Sequence, residues 1–158
     1  MKLPLAFAVL AAASVQGQPA TVIPREMAPL RMLQGEWHCP TGWIDFRYQD
    51  NNTKMTVRGR AEGANAKWRE VMAIWFDSGQ VKADYFGVKG PAIHYRLVDS
   101  AGRKLVFAED AAPGQPAHRM TYRGNAYGEG IFYRFELGDK TYDSGVLTRR
   151  ALIRPLSE

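Results

Sequence analysis

The stretch LQGEWHCPTG, residues 33–42, marks a switch in hydrophobic period. Upstream, PREMAPLRMLQ (24–34) places Met27, Leu30 and Leu33 at helical spacing, and Pro29 limits the run to a short helix or helical turn. Downstream the period becomes two. WIDFRYQ (43–49) alternates Ile44, Phe46 and Tyr48 with Asp45, Arg47 and Gln49. KMTVRGR (54–60), KWREVMAIWF (67–76) and the short segments after them are alternating and rich in β-branched and aromatic residues.

Turn residues separate these segments, as in QDNN (49–52), EGAN (62–65), DSG (77–79), DSAG (99–102) and LGDK (137–140). Turns recur every ten to fourteen residues or roughly so, near the rhythm of an all-β sandwich or barrel. Short connections make successive strands antiparallel neighbours, and closure removes the two exposed edges of a meander. The expected fold is therefore all-β, a closed antiparallel up-and-down barrel of roughly 8–10 strands after a short N-terminal helical turn.

The chain has 158 residues, enough for one domain with a sizeable core. Residues 1–17, MKLPLAFAVLAAASVQG, carry one charge, Lys2, then an apolar run and small residues. That is the layout of a secretory signal peptide cleaved near residue 17, and the run is too short for a permanent membrane anchor. Export to a periplasm or the exterior is expected, with residues 18–32 as lead-in and short helix and 33–154 as the barrel domain. No other segment is apolar enough to span a membrane as a helix. The net charge of +5 is spread along the strands, so no basic run tracks a nucleic-acid backbone.

Cys39 is the single cysteine, which excludes an internal disulfide and favours a small buried apolar side chain. His38 and Cys39 are adjacent, hence on opposite faces of a strand, and no other spacing supports a metal site. No nucleophile elbow, phosphate loop or dinucleotide fingerprint is present, and no cofactor is expected.

Period-two alternation assigns an inner face rich in rings and methionine. Two ionisable residues fall on that face: Glu70, between Trp68 and Met72, and His118, before Met120 and Tyr122. A titratable group on an apolar face is costly unless paired, which invites a functional role. Glu70, Met72, Tyr85, Tyr95, His118, Met120 and Tyr133 are the candidate ligand-binding residues. Two other roles compete with a carrier of a small hydrophobic ligand. One is an enzyme using Glu70 and His118 as acid and base. The other is an interaction module with a filled barrel and outward Trp43, Trp75, Phe86 and Phe132.

The helical turn, the Gly-x-Trp of LQGEW and the following meander resemble the calycin group, which includes lipocalins, fatty-acid-binding proteins and exported bacterial lipocalin-like proteins of unknown function. The resemblance covers most of the mature chain. It implies that Trp37 packs across the closed end of the barrel beside Gly35. Arg149 or Arg150, in VLTRRAL, would then lie over its ring. Two relatives' binding devices have no match here. No His follows His118, unlike the haem-ligating His of nitrobindins, and Tyr133-Arg134-Phe135 differs in order from the Arg-x-Tyr carboxylate grip of fatty-acid-binding proteins.

Overall fold

The computed structural model describes residues 22–87 and 90–149. The expected leader at 1–17, Arg150 and the last residues of the 33–154 domain lie outside the described residues. A 3-10 helix, Ala28–Met32, precedes ten strands: β1 Gly35–Cys39, β2 Gly42–Gln49, β3 Lys54–Ala61, β4 Arg69–Asp77 and β5 Gln80–Tyr85, then β6 Ile93–Asp99, β7 Lys104–Glu109, β8 His118–Gly124, β9 Gly130–Leu137 and β10 Lys140–Thr148. Each strand pairs antiparallel with its sequence neighbours, and β10 returns to β1, so the sheet is a closed up-and-down barrel.

The two ends differ. The 3-10 helix covers the end where β1 starts. Met27, Leu30 and Leu33 are fully buried there, at the helical spacing of the sequence. The Tyr48 hydroxyl donates to the Met27 carbonyl at 2.8 Å and ties this plug to β2. Burial pushes the Tyr48 phenol up to about 12, so it remains a donor at neutral pH.

Trp37 is the centre of the plugged end, at 1% exposure. Its indole N–H donates to the Leu33 carbonyl at 2.6 Å. The Arg149 guanidinium lies over the ring, 4.4 Å from its centroid, a favourable cation–π geometry. Arg149 also donates to the Gln34 carbonyl at 2.9 Å. Gly35 adopts φ +110°, and a Cβ there would stand 3.3 Å from the guanidinium. Glycine thus permits both the left-handed backbone and the close approach of Arg149.

Above the plug, Phe46, Met55, Val57, Ile74, Ala83, Phe107 and Met120 fill the interior. They follow the expected inner phase. β4 is the exception at its start. Val57 pairs with Met72 but Arg58 pairs with Glu70, so Val71 is an extra residue in a bulge. A bulge reverses the side-chain phase beyond it. Glu70 and Trp68, expected on the inner face, are therefore on the outside. Glu70 is exposed, and Trp68 lies under Arg58 and Arg60, 5.5 and 5.1 Å from their guanidinium carbons. A second bulge between Thr141 and Asp143 sets Asp143 opposite Phe135.

Replacing the plug's central ring tests this arrangement. Trp37→Ala removes a buried side chain and the seat of Arg149, and is expected to destabilise the protein by about 3–5 kcal/mol. Arg149→Met keeps the aliphatic stem and loses the charge, and is expected to cost about 1–2 kcal/mol. Chemical denaturation measures both, and a loss below about 1 kcal/mol for Trp37→Ala contradicts the role given to the plug.

Candidate ligand cavity

Side chains do not fill the opposite end. A cavity of about 500 Å³ opens there, a volume in the range of small-ligand sites. Its floor is Ile44, Val57, Met72, Tyr122 and Leu147, and its walls include Val71, Tyr85, Tyr133 and Phe135. Cys39, Thr41, Lys67, Arg69 and Asp143 also line it, placed by the ends of β1, β4 and β10 and by the turns beside them.

Phe135 is the hub of the aromatic wall. Tyr133, Tyr122, Tyr142 and Tyr85 surround it with ring centroids 5.4, 6.1, 6.2 and 6.4 Å away. Such tilted and edge contacts align ring edges with ring faces and add to simple burial. Gly145, opposite Tyr133 in β10, leaves room for that ring, since a Cβ there would stand 2.9 Å from the hydroxyl. The Tyr122 ring meets Phe46 edge-on at 6.1 Å, which joins the cavity floor to the packed interior.

Burial raises the Tyr95, Tyr122, Tyr133 and Tyr142 phenols. The Asp143 carboxylate adds to the rise at Tyr133, and Glu109 to that at Tyr95. All four therefore stay neutral at physiological pH and keep their hydroxyl protons. The Tyr95 hydroxyl is buried beside that of Tyr142.

Among the expected site residues, Met72, Tyr85 and Tyr133 line the cavity. Tyr95 and Met120 are 4% and 1% exposed and belong to the packed interior. His118 lies near the mouth beside the Tyr142 ring, at 6.2 Å, and off the cavity wall. Its partner is Glu109, whose carboxylate is 2.7 Å from His118 Nδ1 and accepts the His118 backbone N–H at 2.9 Å. Glu70 is outside the barrel, so the expected Glu70–His118 acid–base couple is not assembled.

Glu109 was accessible to the same alternation, since it follows Leu105 and Phe107 at period two. Val71, Arg69 and Asp143 were not, because bulges set their phase. Cys39 faces the cavity as a half-buried free thiol. His38 points the other way, against Trp43 at 5.0 Å and Glu62 at 2.7 Å. The described residues contain no cluster of three or more His, Cys, Asp or Glu able to hold a metal. No family model matches the chain, and no curated protein matches it significantly.

The His118 contacts give a pH dependence. The backbone N–H and ring of His118 hold the Glu109 carboxyl below its ordinary value, against the opposing effect of burial. Its stabilisation is complete above the unfolded value of about 4.3 and is lost as pH falls through the folded value. The melting temperature of the wild type is expected to fall more steeply from about pH 5 to about pH 3 than that of Glu109→Gln. Parallel acid limbs in thermal melts contradict the assignment.

Proposed function

We propose that this protein is an exported, lipocalin-like carrier or sensor that holds one small amphipathic molecule in the open end of its barrel. The cavity carries the proposal: a space of about 500 Å³ with an apolar floor, an aromatic wall and a few polar groups at its mouth. Trp37 under Arg149, together with the closed meander, supports the calycin resemblance. The leader-like residues 1–17 support export.

Neither alternative has comparable support. His118 is engaged by Glu109 rather than Glu70. The outward rings lie on separate parts of the sheet: Trp43 at the open end of β2, Trp75 near the plugged end of β4, Phe86 just past β5 and Phe132 on β9.

The magnitudes indicate what such a ligand needs. Burying a chain of about eight methylenes supplies ~6 kcal/mol, whereas a micromolar complex needs ~8 kcal/mol. Polar contacts at the mouth must supply the difference. N-phenyl-1-naphthylamine, a neutral fluorescent probe, is expected to bind saturably with one site per chain. Val71→Trp fills the cavity from the β4 bulge and is expected to weaken probe binding at least about tenfold, by ~1.4 kcal/mol, while the protein still melts cooperatively. Absence of saturable binding to the wild type overturns the carrier reading.

A further inference from the structure

Charges of both signs line the cavity, with Arg60 among the cations. Outside, Asp45, Glu62, Asp77, Asp84, Asp99, Asp110 and Glu136 are each held by a basic side chain. Lys67, Arg69 and Asp143 line the cavity and make no ion pair among the described residues. The cations come from the β3–β4 side of the mouth and the anion from β10, three strands round the barrel from β3 by way of β1 and β2. The two signs border one cavity without neutralising each other.

Each side has a distinct chemistry. Asp143 adjoins Tyr142 and Tyr133, and their rings pack on Phe135 at 6.2 and 5.4 Å. Ring faces beside a carboxylate suit an alkylated ammonium, which loses little hydration and gains cation–π attraction. The opposite side offers the Lys67 ammonium and the Arg60 and Arg69 guanidinium groups, which suit phosphate or carboxylate oxygens. A purely anionic head meets repulsion from Asp143, and a purely cationic head meets it from Lys67 and Arg69. Only a head carrying both signs is complementary to both walls.

We propose that the cavity takes a zwitterionic amphiphile of the phosphocholine type, its ammonium beside Asp143 and the Tyr133–Phe135–Tyr142 rings, its anionic group beside Lys67 and Arg69, and its chain on the apolar floor. The inference rests on the carrier reading and adds the chemical class of the ligand.

Four probes with a common ten-carbon chain test it by tryptophan fluorescence titration: decylphosphocholine, decanoate, decyltrimethylammonium and decanol. Decylphosphocholine is expected to bind at least about tenfold more tightly than each of the others. Asp143→Asn is expected to weaken decylphosphocholine and decyltrimethylammonium while strengthening decanoate. The Lys67→Gln, Arg69→Gln pair is expected to weaken decylphosphocholine and decanoate while strengthening decyltrimethylammonium. Phosphocholine without a chain is expected to bind at least about a hundredfold more weakly than decylphosphocholine, and equal binding overturns the amphiphile in favour of a free zwitterion. Equal affinity for all four chains, or charge variants without these opposite signs, overturns the head-group inference. If N-phenyl-1-naphthylamine still saturates, the carrier reading stands; if neither it nor any chain binds, both fall.

Discussion

The contact between Arg149 and Trp37 is the constraint on which the barrel depends. Strands β1 and β10 meet through a single register pair, His38 with Thr148, whereas β1 and β2 pair along the full length of β1. The closing seam is therefore weak in backbone hydrogen bonds. Arg149 compensates with its side chain over the indole at 4.4 Å and its N–H on the Gln34 carbonyl at 2.9 Å. Cation–π and charge-assisted bonds of this kind each contribute on the order of 1–2 kcal/mol, comparable to a few ladder bonds. The indole in turn holds the Leu33 carbonyl, so one ring joins the plug, the first strand and the end of the last.

Closing one end leaves the other open, where the ligand is proposed to sit. The plug and inner residues up to Phe46, Met120 and Tyr122 bury the apolar surface that folding requires. The open end can then retain a cavity, neutral phenols and unpaired charges that would weaken a filled core. Packed core and open cavity are thus divided along the barrel axis.

The fold was legible because its signals are local and repeated. The helical spacing of Met27, Leu30 and Leu33 marked the plug. The alternation in β2, β3 and β9 marked the inner faces. The Gly35-x-Trp37 pair with a late arginine marked the closed end through family resemblance, and Arg149 occupies that place. The site was only partly legible. Met72, Tyr85 and Tyr133 keep the phase of their strands and reach the cavity. Glu70 does not, because the bulge at Val71 depends on pairing between two strands and leaves no mark in β4 itself. Asp143 entered the cavity by the same device. Depth along the barrel was also hidden: Tyr95 and Met120 share the inner phase but sit in the packed part. Alternation fixes a face; it does not say how far from the mouth a side chain lies.

The central claim is that the plugged end is a sealed core and the open end a ligand site. Methyl-resolved NMR of the folded protein during titration with N-phenyl-1-naphthylamine tests it most directly. Shifts at Met72, Val71, Ala66 and Leu147, with Met27, Leu30 and Leu33 unmoved, are the predicted result. Shifts at the plug methyls, or shifts scattered over the outer wall with the cavity methyls unmoved, contradict it.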